Sequence, residues 1–338
     1  LADISTAFLH ALIGSEEVFV WPPAEFYPER NCLWRLKKAM YGLRQSPKLW
    51  QEHFAEVMHK LGFKRCKSDS NLYCHKSKEL YVLAYVDDLL IVGDSAKKAE
   101  FLKLLDKELL VKITGELKPG VTCTFLGRRL THNGDSIDVS MSKVYVDTLL
   151  DMCGMTKANP VNTTGTSSLK SVSNADEPLS KEEHSKYRTA VGKLLWLSWV
   201  RGDVAYAVKE LSRSVTAPTQ ESLAKMKHVL RYLAGTKQAV LRLRPNVQLA
   251  DWKSVVDVEC FVDSDWAGCA KTRRSTSGSC VTVLGSSVTS TSRTQATVAL
   301  SSGEAELYAI GQGVSEALFV RSMLIESGLT RKAQVCCY

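Results

Sequence analysis

Two adjacent carboxylates inside an apolar stretch constrain the fold more than any other feature of the sequence. The stretch reads Leu80-Tyr-Val-Leu-Ala-Tyr-Val-Asp-Asp-Leu-Leu-Ile-Val92. Two β-rich apolar runs broken by Asp87-Asp88 predict a hairpin, and the lack of alternation predicts that both of its faces are buried. Adjacent acids at a buried tip repel each other, and a divalent cation would compensate them. The alternative is a solvated turn that uses aspartate for its conformational tolerance.

Periodicity and capping signals divide the rest of the chain into helices and strands. Helices are predicted at residues 50–61, 97–110, 143–152 and 181–200, from an Asp203 N-cap onward, from Pro218-Thr219 to Gly235, and at 302–327. Strands are predicted around a turn within 125–139, and at 241–243, 255–262, 279–284, 288–292 and 333–338. Two apolar stripes are predicted to be buried: Leu223, Met226, Leu230 and Leu233, then Leu307, Ile310, Val314 and Leu318.

Charge and cysteine usage narrow the class of protein. The 338 residues carry a net charge of +8, and at about 150 residues per domain they suggest two domains. Residues 31–50 hold five basic and no acidic residues, and residues 181–244 hold thirteen basic against five acidic, with aromatics between them. Such stretches suit a phosphate backbone with stacking bases. The ten cysteines form no CxxC pair, which indicates reduced thiols, and Cys336-Cys337 is predicted in a buried strand.

Four segments, in this order, resemble motifs of the copia-type LTR retrotransposon reverse transcriptases. They are Asp3-Ile-Ser-Thr-Ala-Phe-Leu9, Leu36-Lys-Lys-Ala-Met-Tyr-Gly-Leu-Arg-Gln-Ser-Pro47, Tyr85-Val-Asp-Asp88 and Phe125-Leu-Gly127. Asp3 by itself would be read as a strand-end or N-cap residue. The chain starts with Leu, inside the first of these motifs, so we expect it to be a piece of a longer polyprotein.

The resemblance implies a polymerase site. Asp3 and Asp87 would be the main ligands of two Mg²⁺ ions, with Mn²⁺ as an alternative and Asp88 as a supporting ligand. Phe8 would lie under the sugar and reject a 2′-hydroxyl, and its alternative is a plain core aromatic. The further nucleotide- and template-binding candidates are Gly42, Arg44, Gln45 and Tyr85. For Arg44 and Gln45, a solvated loop is the alternative.

Three later segments resemble the ribonuclease H domain of the same elements. They are Glu259-Cys-Phe-Val-Asp-Ser-Asp-Trp-Ala-Gly268, Lys271-Thr-Arg-Arg-Ser-Thr-Ser-Gly278 and Ser301-Ser-Gly-Glu-Ala-Glu-Leu-Tyr-Ala-Ile310. Asp263 and Glu306 match the family's catalytic metal ligands, and its next aspartate would follow the last residue of this chain. Glu304 has the capping-box spacing from Ser301, and Asp265 reads as a turn residue, so both are weaker candidates.

The expected fold is α+β. A truncated reverse transcriptase palm with remnant fingers would occupy residues 1–127, and a thumb-like hairpin and helix 128–157. A linker at 158–180 and a helical connection at 181–245 would precede an incomplete ribonuclease H-like α/β domain at 246–338. The longest strongly apolar run, residues 194–200, is too short to span a bilayer.

The expected function is RNA-directed DNA polymerisation with ribonuclease H cleavage, at low activity in this chain. A non-catalytic nucleic-acid-binding remnant is the alternative, and a metallohydrolase acting on other substrates explains only the acids. The implied partners are RNA template, DNA primer and product, RNA–DNA hybrid, dNTPs, and the integrase and protease of the polyprotein, with no membrane. The implied location is intracellular, in a cytoplasmic element particle, with the nucleus as a second location.

Overall fold

The computed structural model describes residues 1–26, 31–165, 174–246 and 255–338. These residues form two compact units, one of residues 1–116 with 322–329 and one of residues 117–321 with 330–338. Both units mix helices and sheets, as the predicted α+β class requires. Part of the predicted linker (166–173) and part of the last predicted domain (247–254) lie outside the described residues. Within the described ranges, no helix has the length and hydropathy needed to cross a membrane.

The first unit is built on one six-stranded sheet. Its strands are β1 (Ala2–Ile4), β4 (Lys64–Arg65), β5 (Leu72–His75), β6 (Leu80–Tyr85), β7 (Asp88–Val92) and β8 (Val111–Ile113), and a separate pair is formed by β2 (Phe19–Val20) and β3 (Trp34–Arg35). The six strands lie in the order β4-β5-β6-β7-β1-β8, with antiparallel neighbours. This order places β1, which is distant in sequence, next to the predicted hairpin β6–β7.

The β6–β7 hairpin is confirmed, but only one of its faces is fully buried. The side chains of Leu80, Val82 and Leu89 are fully buried, whereas those of Tyr81 and Leu83 on the other face are half-buried. The buried face packs against α1 (Ser46–Lys60) and α2 (Ser95–Glu108), which contribute to the same core. The prediction of two buried faces was wrong. Helices α1 and α2 cover only one face of the hairpin, and the side chains of the other face remain partly accessible to solvent.

The second unit contains two four-stranded sheets. The first has the order β12-β11-β10-β9, with β9 (Thr122–Phe125), β10 (Arg128–His132), β11 (Ile137–Met141) and β12 (Leu241–Leu243). The second has the order β15-β14-β13-β16, with β13 (Val256–Ser264), β14 (Thr276–Val283), β15 (Ser286–Thr294) and β16 (Ala333–Cys337). Only β13 and β16 are parallel among the pairs of the second sheet. Cys337 in the edge strand β16 is exposed, so the predicted strand is present but is not buried.

Four helices form the main core of the second unit. They are α3 (Lys143–Met152), α4 (Lys181–Ser198), α5 (Ala205–Ser212) and α6 (Gln220–Gly235). The predicted stripe of α6 is in this core, with Leu223 partly buried at its margin. Asp203 does not cap α5: it lies in a 3-10 turn and forms an ion pair with Arg201, with 2.6 Å between Oδ2 and Nη2. The buried guanidinium, 6% exposed, attracts this carboxylate away from the helix end.

The stripe predicted for α7 (Ser302–Ser327) was wrong. Leu307 and Leu318 are 67% and 45% exposed, and Ile310 is also exposed. The helix instead buries Ala305, Ala309, Gly313 and Ala317. A Cβ on Gly313 would lie 2.3 Å from Val262 Cγ1 on β13, so the helix lies too close to the strand for larger side chains. The spacing of the large apolar residues therefore predicted the wrong face of α7 as the buried one.

Candidate active site

The register of two antiparallel strands brings the first set of carboxylates together. Asp3 on β1 lies directly opposite Asp88 on β7, and Ala2 lies opposite Leu89. Directly opposed residues have Cβ atoms about 4.5–5.5 Å apart. Asp87 precedes β7, and its carbonyl accepts a 2.9 Å hydrogen bond from the Ile4 N–H. Backbone pairing thus brings Asp3 next to two adjacent acids that lie more than eighty residues later in the sequence.

These acids interact electrostatically. Burial raises the pKa of Asp88, and the negative charges of Asp87 and then Asp3 raise it further. A divalent cation would relieve this repulsion, and carboxylate oxygens are the hard donors that Mg²⁺ prefers. The donor set therefore fits such an ion. Nevertheless, within the described ranges no three His, Cys, Asp or Glu side chains are arranged as a closed ligand group.

The turn that presents Asp87 is held from two sides. Tyr85 pairs with Asp88, so Val86 and Asp87 form a two-residue turn in which Val86 has a φ of 57°. This left-handed conformation is costly for a β-branched residue and persists only where neighbours enforce it. The buried Trp50 of α1 donates its Nε1–H to the Val86 carbonyl at 2.8 Å, and β1 binds the next carbonyl. Helix α1 and strand β1 together hold both turn carbonyls.

Two aromatic rings from distant parts of the first unit's sequence lie beside each other. Phe8 is in the 3-10 helix Ala7–His10, five residues after Asp3, and its ring centroid is 4.7 Å from that of Tyr41. Tyr41 is 51% exposed and precedes Gly42, whose φ is 94°. Tyr41 was not among the predicted nucleotide-binding residues, although it lies inside the same motif as Gly42. The Phe8–Tyr41 pair offers an aromatic surface that a sugar or base could contact.

The other predicted nucleotide and template residues differ in their surroundings. Phe8 and Tyr85 both line a cavity of about 420 Å³, together with Lys48 and Trp50. Arg44 is exposed, and Gln45 is half-buried at the N-terminus of α1, where its side chain makes no capping hydrogen bond. Neither of these two lines the cavity.

The second predicted pair of acids lies on a strand and a helix of the other unit. Cys260 and Val262 of β13 contact the Gly313 position of α7. Because side chains alternate along a strand, Asp263 points to the opposite face. Asp263 is exposed and lines a cleft of about 470 Å³ with Asp265 and Tyr206, whereas Glu306 is half-buried on α7. The described side chains do not bring Asp263 and Glu306 into one group with a third acid.

The weaker candidates both have structural partners. Glu304 Oε2 accepts the Leu300 N–H at 2.7 Å, and the Ser301 hydroxyl accepts the Glu304 N–H at 3.1 Å, which together cap α7. Asp265 Oδ1 accepts the Thr276 N–H at 2.6 Å and the Gly268 N–H at 3.4 Å, which is the geometry of a turn residue.

Comparison with known proteins agrees with the motifs. The family profile described as reverse transcriptase (RNA-dependent DNA polymerase) matches residues 1–166. The Pol polyprotein of transposon RE1 from Arabidopsis thaliana is 31% identical over 99% of this chain, and that of transposon TNT 1-94 from Nicotiana tabacum is 30% identical over 98%. This chain spans only about a quarter of the length of those relatives, at 22% and 25%.

A shorter relative is matched along its whole length. The putative transposon Ty5-1 protein of Saccharomyces cerevisiae is 30% identical over 93% of this chain and 99% of its own length. The chain therefore belongs to the Pol polyproteins of copia-type retrotransposons and contains their reverse transcriptase domain.

Proposed function

We propose that the chain is a segment of an RNA-directed DNA polymerase that acts by two-metal nucleotidyl transfer. The register that opposes Asp3 to Asp88, with Asp87 beside them, carries this proposal. Asp3 and Asp87 would hold the metal ions, and Asp88 would support them. When bound, two Mg²⁺ ions would stabilise the attacking 3′-oxygen and the leaving pyrophosphate oxygen.

The chain's own residues would position the substrates. The Phe8 ring, held against Tyr41, would lie under the sugar of an incoming dNTP and exclude a 2′-hydroxyl. Arg44, exposed next to α1, would meet phosphate, with Gln45 and Gly42 lining the same path. Tyr85, 56% exposed at the end of β6, would contact the primer–template. The rigid turn at Val86 would keep the carboxylates in place while these substrates exchange.

Asp263 and Glu306 would be the metal ligands for cleavage of the RNA strand in an RNA–DNA hybrid, each on its own side of β13, because Asp263 points away from α7. The capping role of Glu304 and the turn role of Asp265 support this choice of acids. The proposed partners also include the integrase and protease of the same polyprotein. The proposed location is an intracellular element particle in the cytoplasm, with later access to the nucleus.

Primer extension on an RNA template with Mg²⁺ tests the polymerase proposal. Asp87→Asn should lower extension about a hundredfold or more, since charge stabilisation by the metals contributes several kcal/mol. Asp94→Asn is a matched control in the same unit. Asp94 caps α2 by accepting the Ala96 and Lys97 N–H groups, and asparagine caps equally well. Equal extension by wild type and Asp87→Asn would refute the proposal, and binding without any extension would favour a non-catalytic remnant.

A further inference from the structure

An exposed aromatic face of α4 lies outside the candidate active site. Trp196 near the end of α4 and Trp199, which immediately follows its last residue in a helical conformation, are 42% and 67% exposed. Residues three apart lie on the same helix face. Tryptophan carries a large apolar surface and is enriched at interfaces, so two exposed rings on one face indicate a contact site.

A cation without an acidic partner in the described ranges lies against this face. The Arg128 guanidinium lies 5.2 Å from the centroid of the Trp196 ring. Its Nε is buried and has no hydrogen-bond partner, and burial lowers the pKa of this arginine. No carboxylate in the described ranges forms an ion pair with it. A half-buried cation of this kind is stabilised by an anion that arrives from outside.

Most basic residues between 181 and 244 have acidic partners, whereas Arg128 has none in the described ranges. Ion pairs engage eight of the thirteen basic residues between 181 and 244: Lys186, Arg201, Lys209, Arg213, Lys225, Lys237, Arg242 and Arg244. Along α4, residues 184–198 include Arg188 and Lys193 but no acid. The aromatic face therefore lies in a locally positive field.

The same helix carries a glycine that no internal contact requires. Gly192 lies one turn before Trp196, is exposed, and has open space within 4 Å of where a Cβ would be. Glycine inside a helix costs about 0.5–1 kcal/mol relative to alanine. Its absent side chain leaves room for the close approach of an external backbone.

We propose that Trp196, Trp199, Gly192 and Arg128 form a binding surface for a single-stranded stretch of nucleic acid. The indole faces would stack on unpaired bases, and Arg128 would meet a phosphate. A duplex hides the faces of its bases, so the exposed rings favour a single strand. This inference rests on the proposed function only for its class of partner, since the surface does not include the polymerase carboxylates.

Fluorescence anisotropy of the full chain with labelled oligo(dT) and oligo(rU) tests the surface. Trp199→Ala should weaken binding about tenfold, the usual effect of removing one stacking ring, while Trp199→Phe should retain most of it. Arg128→Ala should reduce the slope of log affinity against log salt by about 0.7, the value for one phosphate contact on a single strand. Thermal melting of each variant checks that it remains folded.

Gly192→Ala separates binding from folding. It should raise the melting temperature, because alanine favours the helix, and at the same time weaken single-strand binding. Wild-type binding by both Trp199→Ala and Gly192→Ala would overturn the proposal, as would an equal loss on a blunt duplex. Primer extension distinguishes the two proposals. Normal extension with unaltered single-strand binding in the variants refutes the surface alone, whereas the expected binding pattern without extension refutes the polymerase alone.

Discussion

The two sets of carboxylates are positioned by different kinds of structure. Asp3 and Asp88 face each other across a pair of hydrogen-bonded strands, so backbone register fixes their separation. Asp263 lies on the face of β13 that points away from α7, and Glu306 lies on α7, so neither backbone register nor the packing of α7 fixes the separation of these two carboxylates. The polymerase set should therefore resist changes in side-chain packing, whereas the second pair has no comparable support from backbone register.

The largest expected effect separates the two sets by activity. Asp3→Asn should reduce primer extension about a hundredfold or more, because a proposed metal ligand is lost. Asp263→Asn, the same change in the other unit, should leave extension within about twofold, since it belongs to neither the metal nor the nucleotide residues of the polymerase. Single-turnover extension measures both. Similar losses of primer extension in the two variants would contradict the assignment of the two sets of carboxylates to different activities.

Packing of α7 provides the next test. Gly313→Ala should destabilise the protein by about 1–3 kcal/mol, because its Cβ would meet Val262 Cγ1 at 2.3 Å and Cys260 Sγ at 2.9 Å. Gly311→Ala on the same helix has open space and should be stabilising by about 0.5–1 kcal/mol. Urea denaturation measures both variants. Equal stability of the two would contradict the close packing of helix and strand.

Loss of the hydrogen bond from Trp50 tests how the turn at Val86 is held. Trp50→Phe keeps a ring in the core but removes the bond to the Val86 carbonyl, and should cost about 1 kcal/mol and lower kcat several-fold with KM unchanged. Trp266→Phe removes an equivalent bond to the Ala299 carbonyl, 3.1 Å long, in the other unit. Its extension kinetics should match wild type. A KM effect equal to the kcat effect in Trp50→Phe would argue against a role in holding the turn.

The smallest effect concerns a thiol of the second unit. Hydrogen bonds from Thr272 and Arg213 lower the pKa of Cys269 to about 6, whereas burial raises the pKa of Cys74 in the first unit to about 11. Because the thiolate is the nucleophile, Cys269 should be alkylated by iodoacetamide at nearly its full rate at pH 7 and lose reactivity below pH 6. Peptide mass spectrometry follows each site. Arg213→Ala should shift this loss to higher pH, and an unchanged profile would contradict the Arg213–Cys269 contact.

Local patterns predicted most of the elements. The β6–β7 hairpin and the helices α3 and α7 lie where the sequence indicated, because strand composition and capping act over a few residues. The buried face of α7 was not predictable in the same way. Its burial is set by close contact with β13, which favours small residues and leaves Leu307 exposed.

Long-range pairing explains what the sequence could not indicate about the site. The motifs identified Asp3 and Asp87, but no local signal states that β1 lies beside β7. Tyr41 was missed for the same reason, since only the fold brings its ring to Phe8. Asp203 does not cap α5 because its carboxylate pairs with the buried guanidinium of Arg201 and not with the N–H groups at the start of the helix.

The opposed register of β1 and β7 also has a consequence for insertions and deletions. Removing or adding one residue in either strand would turn every following side chain to the other face of the sheet, with Asp3 or Asp88 among them. A one-codon deletion near Asp3 should therefore disrupt the proposed metal site even if all three aspartates remain encoded. In a degenerating copy of the element, such length changes are more reliable marks of a dead polymerase than the loss of its acidic codons.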